Sequence, residues 1–261
     1  MSERRVAVVT GAARGIGAAV TRRLAATGWA VVAVDRCADD PAVNYPLARP
    51  EDLTELAGSH SRVEPVVADV RDPNALAAAC DLALQQHGRL DAAVACAAVI
   101  LGGEPVWEIP ESSWRTLLDI DVTGVLNLAR AAVPRLLAAP EPRNGRFVAL
   151  ASAAAHRGLW RLGGYCAAKH AVLGLVRGLA CDLQGTGVSA VAVSPGSTRT
   201  DMLRATAELY GLDDEEELGQ HQLVRRALEP DEVAAAVAWV CSPESTAVTG
   251  SVVHADGGFG A

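Results

Sequence analysis

Short apolar runs alternate with longer Ala- and Leu-rich stretches along the whole chain. Most of the runs are apolar at nearly every position, as expected for strands of a parallel sheet whose two faces are both covered by helices. We predict seven strands, at Val6–Thr10, Ala30–Val34, Val63–Val67, Ala92–Ala97, Arg146–Ala151, Val188–Val193 and Ser251–His254. Helices are predicted to begin near Gly15, Asn74, Ser112, Val122, Gly163, Asp201 and Asp231.

The repeated strand–helix order predicts an α/β fold, a doubly wound Rossmann-type parallel sheet of seven strands with helices on both faces. No linker, repeat, low-complexity stretch or shift in composition divides the 261 residues, so we predict one domain over residues 1–261. Ligands of such sheets bind beyond the carboxyl ends of the strands. Residues suited to chemistry lie at five of these ends, namely Gly11, Asp35, Cys96, Ser152 and Pro195.

Composition narrows the classes of partner. A net charge of −8 argues against a surface for nucleic acid or for an anionic membrane. The longest apolar run, Ala92 to Leu101, is about half as long as a membrane-spanning helix requires. Six cysteines form no C-x-x-C pair and no metal-type cluster, which is typical of buried thiols in a reducing cytoplasm. We therefore expect a cytoplasmic protein without disulfides and without metal, nucleic-acid or membrane partners.

A glycine-rich turn joins the first predicted strand to the first helix, with the sequence Thr10-Gly11-Ala-Ala-Arg14-Gly15-Ile16-Gly17. Gly11 permits a tight turn. Gly15 and Gly17 allow backbone amides and the helix N-terminus to approach a pyrophosphate. This context predicts a dinucleotide site.

Asp35 ends the second predicted strand, where a carboxylate can hydrogen-bond the 2′-hydroxyl of an adenosine ribose. The same carboxylate repels a 2′-phosphate, so the sequence favours NAD over NADP. Arg36 is the counter-argument, because an adjacent guanidinium can accept that phosphate.

Tyr165 and Lys169 stand four residues apart on a predicted helix, and Ser152 precedes them at the end of the fifth strand. Positions i and i+4 share one helix face. A phenol, whose ordinary pKa is about 10, is a poor base at neutral pH. A neighbouring ammonium favours the phenolate and lowers this pKa. Tyr165 is therefore a candidate general acid/base.

The glycine spacing and the Ser–Tyr–Lys set together resemble the short-chain dehydrogenase/reductase family over essentially the whole chain. The resemblance implies that Ser152 hydrogen-bonds the substrate oxygen, Tyr165 transfers the proton, and Lys169 also holds the nicotinamide ribose. It implies a cofactor half of about 1–120, a catalytic and substrate half of about 121–261, and a homotetramer. Further residues at cofactor-binding positions of the family are Arg14, Ile16, Asp69, Val70, Cys96, Ala97, Ala98, Pro195, Gly196, Ser197, Thr198 and Thr200.

Two positions depart from the family pattern. Cys96-Ala97-Ala98 stands where the family usually has Asn-Ala-Gly, and the small second residue still allows the backbone to pass close to the cofactor. Asp121 occupies the place of the family's fourth catalytic residue, which is usually Asn. An ionised side chain there would alter the proton relay.

The crossover after Asp35 is long. A helix of about 11 residues with two loops of about 2–6 gives roughly 15–24 residues, whereas 27 residues, 36–62, separate Asp35 from Val63. We predict an insertion at about 37–53. The insertion, Cys-Ala-Ala after the fourth strand and His-Arg-Gly-Leu-Trp before Tyr165 resemble the mycofactocin-coupled subgroup. That resemblance implies a retained NAD and an external redox carrier; the alternative is an ordinary surface loop.

The substrate is expected to be an apolar secondary alcohol or ketone. The family keeps its mobile substrate lid after Pro195-Gly196, at about 198–226 here, and this segment is rich in large apolar side chains. We predict that the pocket is lined by His156, Trp160, Met202, Leu203 and Tyr210.

Three other functions stay open. One is an ordinary ketone reductase that exchanges NAD(P). Another is a non-catalytic dinucleotide sensor, against which the intact Ser–Tyr–Lys set argues. The third is a sugar-nucleotide epimerase or dehydratase, which is disfavoured because the segment left for substrate, about 201–226, is apolar and acidic.

Overall fold

The computed structural model describes residues 4–259, so the first three and last two residues of the predicted domain lie outside the described part. Seven strands form one parallel sheet in the order β3-β2-β1-β4-β5-β6-β7. The strands are β1 Val6–Thr10, β2 Ala30–Asp35, β3 Val63–Val67, β4 Ala92–Ala95, β5 Gly145–Leu150, β6 Val188–Pro195 and β7 Val252–Ala255. The predicted doubly wound fold is confirmed.

Within the described residues, eight α-helices connect or flank the strands. They are α1 Gly15–Ala26, α2 Pro50–Gly58, α3 Pro73–His87, α4 Glu111–Leu117, α5 Gly124–Leu137, α6 Gly163–Asp182, α7 Asp201–Tyr210 and α8 Pro230–Cys241. Because side chains alternate along a strand, Val8 and Val9 face opposite sides of the sheet. One core layer contains the apolar sides of α3, α5 and α6, and the other contains those of α1, α2 and α8.

Several predicted boundaries shift by one residue, and three change by two residues for local reasons. β4 ends at Ala95 and not at Ala97, because the chain leaves the sheet where Thr10 Oγ1 accepts hydrogen bonds from the amides of Cys96 (3.3 Å) and Ala97 (3.4 Å). β6 continues to Pro195, because it pairs with β7 along its last residues. α5 begins at Gly124, because a π-helical turn, Leu118–Thr123, precedes it.

The sequence interpretation missed α2. The helix begins inside the predicted insertion, so the irregular part of that segment ends at Arg49. Proline in the first turn and Asp52, which accepts the Arg49 amide at 2.7 Å, are ordinary start signals that could have located it. The segment 36–49, which contains neither helix nor strand, is called the β2–α2 loop below.

The cysteines are less uniform than expected, since Cys181 is exposed and Cys96 is half-buried while the other four are buried. Within residues 4–259, every helix is too short or too polar to cross a membrane.

Candidate active site

Tyr165 and Lys169 lie one turn apart on α6, with their side chains buried below the carboxyl ends of β4 and β5. The Lys169 ammonium is 5.6 Å from the centroid of the Tyr165 ring and donates a hydrogen bond to the Leu150 carbonyl at 3.3 Å. Ser152 follows β5 directly, and its hydroxyl accepts the Ala154 amide at 3.1 Å. The structure thus brings the three predicted catalytic side chains together.

The balance of effects on Tyr165 differs from the prediction. Burial raises the pKa of the Tyr165 phenol and outweighs the Lys169 ammonium, which lowers it. The Asp121 carboxylate raises this pKa further, and the hydrogen bond with Ser152 lowers it. The net pKa is above the ordinary value of tyrosine. The Lys169 ammonium thus acts in the predicted direction, but the depth of burial, which the sequence does not show, reverses the net change.

Asp121 lies in the π-helical turn between α4 and α5 and is completely buried. Its Oδ1 accepts the Val99 amide at 2.9 Å, and its Oδ2 is 3.3 Å from Lys169 Nζ. π-Helical turns inside helices are frequent at functional sites. Asp121, which stands where the family usually has Asn, therefore lies next to the Lys169 ammonium.

A cavity of about 640 Å³ opens above these residues. Tyr165, Lys169 and Ser152 line its floor, and most of its wall is apolar. Four of the predicted substrate residues line it, namely Trp160, Met202, Leu203 and Tyr210. Leu159, which was also expected to add to the wall, lines the cavity, whereas sequence reasoning had assigned no pocket role to Ile100, Leu162, Arg157, Leu218 or Phe259, which line it as well. These residues lie outside the regular α-helices and strands, and only the fold brings their segments together.

His156 lies outside this cavity, in contrast to the prediction. Its Nε2 is 2.9 Å from the hydroxyl of the buried Ser194, and its ring lies 4.6 Å from that of His254. These contacts place it in a separate surface depression with Asp256. The sequence position of His156, four residues after Ser152, does not predict that it lines the substrate cavity. A short 3-10 turn, Ala153–Ala155, lies between the two residues and changes the direction of the chain.

A cleft of about 170 Å³ adjoins the large cavity and shares Ile16, Cys96, Ala98, Thr200 and Met202 with it. Most of the predicted cofactor residues line this cleft, namely Gly11, Arg14, Gly15, Ile16, Gly17, Asp35, Arg36, Asp69, Val70, Cys96, Ala97, Ala98 and Thr200. The remaining ones line the large cavity, namely Pro195, Gly196, Ser197, Thr198, Tyr165 and Lys169. The two spaces therefore form one continuous site along the carboxyl ends of the strands.

The glycine-rich turn has the geometry that a phosphate cradle requires. Gly11 has a φ of +64°, and a Cβ there would lie 2.7 Å from the Cα of Ala97. Gly15 has a φ of +54°, which also favours glycine. Arg14 precedes α1 without capping it through its side chain, so the amides of the first turn face the cleft. These residues fit the pyrophosphate of a dinucleotide.

Asp35 and a charged cluster surround the other end of the cleft. The Asp35 carboxylate accepts the amides of Ala13 (3.0 Å) and Cys37 (3.1 Å) and lines the cleft. Arg36 forms ion pairs with Asp40 (2.6 Å) and Asp69 (3.3 Å).

Arg71 pairs with the same two carboxylates, at 3.0 Å to Asp40 and 2.6 Å to Asp69. Burial by itself raises the pKa of Asp40, but the amide of Ala42 and both guanidiniums outweigh it and hold this pKa below its ordinary value. With Asp35, three carboxylates face two guanidiniums here. Arg36 is therefore held by carboxylates, and the local charge opposes a further phosphate.

The β2–α2 loop lies against the cleft. Its residues Ala38, Leu47 and Ala48 line the cleft wall, which sequence reasoning had not assigned residue by residue. The buried Tyr45 accepts the Ile100 amide at 3.0 Å through its hydroxyl, and the Pro46 carbonyl accepts a hydrogen bond from Arg14. The loop is thus attached on both sides of the cleft.

Comparison with known proteins agrees with this geometry. A family model described as "Enoyl-(Acyl carrier protein) reductase" matches residues 11–260. The "Short-chain reductase protein NovJ" of Streptomyces niveus is 36% identical over 261 residues, 99% of this chain and 95% of the relative. The "(-)-trans-carveol dehydrogenase" of Rhodococcus erythropolis is 33% identical over 271 residues, 98% and 97% of the two chains.

A solved structure is also similar, the carveol dehydrogenase from Mycobacterium avium in complex with NAD. It has a TM-score of 0.92 and 33% identity, covering 97% of this chain and 96% of that one. Fold and comparisons place the protein among the dinucleotide-dependent oxidoreductases. Within that class, the chain belongs to the short-chain dehydrogenase/reductase family.

Proposed function

We propose that the protein transfers a hydride between NAD(H) and an apolar secondary alcohol or ketone, with Tyr165 as general acid/base. The observation that carries this proposal is the position of the Ser152–Tyr165–Lys169 set. It forms the floor of an apolar cavity that opens directly into the dinucleotide cleft. Substrate and cofactor can therefore meet at the tyrosine hydroxyl.

The catalytic side chains have distinct roles. The Ser152 hydroxyl hydrogen-bonds the substrate oxygen and fixes its position beside the phenol. During oxidation the Tyr165 phenolate accepts the alcohol proton, and during reduction the phenol donates it back. The Lys169 ammonium, which is buried with Tyr165, stabilises the phenolate electrostatically.

NAD fits the cleft better than NADP does. The turn at Gly11 and Gly15 leaves room for a pyrophosphate, and Asp35 has free lone pairs for a ribose hydroxyl. When bound, oxidised NAD supplies the hydride acceptor and a positively charged ring that opposes the effect of burial on Tyr165. Support for NAD also comes from the Mycobacterium avium relative, which was crystallised with it.

The wall of the large cavity favours an apolar substrate. Ile100, Leu162, Met202 and Leu203 contribute to this wall. α7, within the predicted lid at about 198–226, carries two of these residues, and Tyr210 on it donates to the Trp160 carbonyl at 2.7 Å. The names of two relatives refer to carveol, an apolar cyclic alcohol. A wall of this kind discriminates by only ~1–3 kcal/mol per methylene, so several alcohols should be accepted.

We further propose that the β2–α2 loop retains NAD and that an external, mycofactocin-like redox carrier collects the electrons. The loop lines the cleft and is attached to the glycine-rich turn and to the segment after β4. Release of the cofactor then requires both attachments to break, which slows dissociation without altering the chemistry. An ordinary dehydrogenase that exchanges NAD is the alternative.

The family resemblance supports a homotetramer, and the cysteine pattern supports a cytoplasmic location. Exposed apolar side chains are available for subunit contacts, among them Val106, Trp107 and Trp239.

A substrate panel tests the proposal. Oxidation of carveol, cyclohexanol and 2-octanol, followed by the absorbance of NADH, should exceed oxidation of 3-hydroxybutyrate and sorbitol 6-phosphate. Preference for the hydroxy acid or the sugar phosphate would refute the substrate class. Binding of NAD without oxidation or reduction of any alcohol or ketone would favour a sensor.

A further inference from the structure

The ion pair between Asp121 and Lys169 is the feature that the family pattern does not explain. The side chains of Asp121 and Lys169 are 0% and 3% exposed, and the ammonium lies 3.3 Å from Oδ2 of the carboxylate. Burying either charge alone is very costly, so each stabilises the charged form of the other. The Val99 amide, at 2.9 Å from Oδ1, adds a donor that favours the ionised carboxylate.

This pairing changes the charge balance around Tyr165. With a neutral amide at position 121, the Lys169 ammonium and a Tyr165 phenolate would sum to zero. With an ionised Asp121, the ammonium is already compensated by the carboxylate. Ionisation of Tyr165 then leaves a buried net charge of −1, which a low-dielectric site disfavours.

We propose that Asp121 is a positioning residue whose charge, acting through Lys169, makes Tyr165 hold its proton to higher pH than a neutral residue there would allow. The inference rests on the proposed function of Tyr165. Asp121 would then determine the pH range in which the enzyme oxidises alcohols and the range in which it reduces ketones.

The other titratable groups that act directly on Asp121, Tyr165 and Lys169 are neutral. Cys96 acts on Lys169 from the segment after β4, and Cys166 acts on Tyr165 from α6 itself. Tyr45 faces Asp121 and Tyr165 from the β2–α2 loop. Burial raises the pKa of each of these thiols and of the Tyr45 phenol, so all three stay uncharged.

The pKa of Lys169 changes in the direction that a charged pair requires, whereas burial opposes the charge on Asp121, which the contact at 3.3 Å and the Val99 amide support. Burial lowers the pKa of Lys169, but the Asp121 carboxylate outweighs it and the net pKa is raised. Burial raises the pKa of Asp121 and outweighs Lys169 and the Val99 amide, which both lower it, so the net pKa is raised. Burial and Asp121 both raise the pKa of Tyr165.

Ionisation of Tyr165 has opposite effects on the rates of alcohol oxidation and ketone reduction. Alcohol oxidation releases one hydride, to NAD, and one proton, to the Tyr165 phenolate. Its rate therefore increases with pH until the phenol is ionised. Ketone reduction needs the protonated phenol and decreases over the same range. Removal of the Asp121 charge should move both transitions to lower pH.

The test is the pH dependence of NADH formation from carveol in a single turnover of the holoenzyme. We expect Asp121→Asn to move the transition to lower pH by about one pH unit or more, the usual size for a close charge. A transition one pH unit lower means about ten times more Tyr165 phenolate at any pH below both transitions. At such a pH, the variant should therefore oxidise carveol about tenfold faster than the unaltered protein. A transition at the same pH in both proteins would show that Asp121 is not an ionised partner and would overturn the proposal.

Two further variants separate charge from structure. Asp119→Asn removes an exposed carboxylate from the same π-helical turn, and it should leave the pH of the transition unchanged. Asp121→Ala also removes the acceptor of the Val99 amide, so it should lower the melting temperature and still move the pH transition. A changed transition with Asp121→Ala but none with Asp121→Asn would mean that Asp121 acts only through structure.

A measurement without turnover keeps this inference separate from the proposed function. Ultraviolet titration of tyrosinate, with Tyr165→Phe as the reference, reports the ionisation of Tyr165 directly. Asp121→Asn should lower that midpoint even if no alcohol is oxidised. An unchanged midpoint would contradict the inference, whereas absence of any alcohol oxidation would contradict only the proposed function.

Discussion

At the residue scale, we propose that cofactor selection depends on Asp35 together with the partners of Arg36. The sequence presents Asp35 and Arg36 as opposing arguments, one for NAD and one for NADP. The structure adds Asp40 and Asp69, which both pair with the Arg36 guanidinium. A guanidinium already held by two carboxylates is a weak acceptor for a phosphate, since a new anion must displace or join them.

Asp35→Asn should therefore lower the preference for NAD over NADP by about tenfold, or about 1.4 kcal/mol. The amide oxygen of the variant can still accept one of the two backbone amides, Ala13 or Cys37, that the carboxylate accepts, whereas the other amide loses its acceptor. Asp35→Asn with Asp40→Asn should lower the preference further, because Arg36 then loses one partner. Titration of cofactor-free protein, followed by tryptophan fluorescence, measures both affinities.

Glu51→Gln is the matched control for this prediction, because Glu51 is an exposed carboxylate on the neighbouring α2. It should leave the preference unchanged. Similar affinities of the unaltered protein for NAD and NADP would count against Asp35 as the selecting residue.

Local sequence signals located most of the site at this scale. The glycine turn and the Tyr165–Lys169 spacing are read within single segments, and both place their residues at the two cavities. The contact between Asp121 and Lys169 joins two elements distant in sequence, so no local pattern shows it. The raised pKa of Tyr165 depends on burial, which the sequence around one helix does not specify.

At the element scale, the β2–α2 loop is the segment that we propose retains the cofactor. Its length was predictable from the crossover, but its direction was not. Tyr45 determines that direction, because its buried hydroxyl accepts the amide of Ile100 on the far side of the cleft. Pro46 and Arg14 add a second attachment.

Tyr45→Phe should increase the dissociation rate of NAD by about tenfold or more. The Ile100 amide would lose its acceptor in the closed state, at a cost of about 1–3 kcal/mol. Replacing 40–46 by a tight turn should increase the rate further and allow steady turnover with free NAD. The measurement is the loss of bound NAD over time when the holoenzyme is diluted.

Glu55→Gln, an exposed change on α2, serves as the control and should release NAD as slowly as the unaltered protein does. Cofactor-free protein after purification, with rapid turnover on added NAD, would show that the loop does not retain the cofactor.

At the scale of the whole molecule, the parallel sheet gathers residues from all parts of the chain at one edge. The strand order brings the ends of β1, β4 and β5 side by side, and with them the glycine turn, Cys96 and Ser152. The alternation of apolar runs with helical stretches was enough to predict this architecture. The exact cavity wall was not predictable, because Arg157, Leu218 and Phe259 come from segments outside the regular α-helices and strands.

We expect a homotetramer in solution, measured by light scattering on the holoenzyme. Burial of Val106, Trp107 and Trp239, which are 68%, 83% and 40% exposed in the single chain, would stabilise such an assembly. A monomer at micromolar concentration would contradict this expectation.

The central claim is that Tyr165 transfers the proton while bound NAD takes the hydride. It is tested by mixing the holoenzyme with excess carveol and recording the absorbance of NADH in a single turnover. We predict a burst equal to the amount of bound NAD, which is slower by about 10²–10⁴-fold in Tyr165→Phe. NAD binding should be unchanged in that variant. A burst of equal rate in Tyr165→Phe would contradict the account.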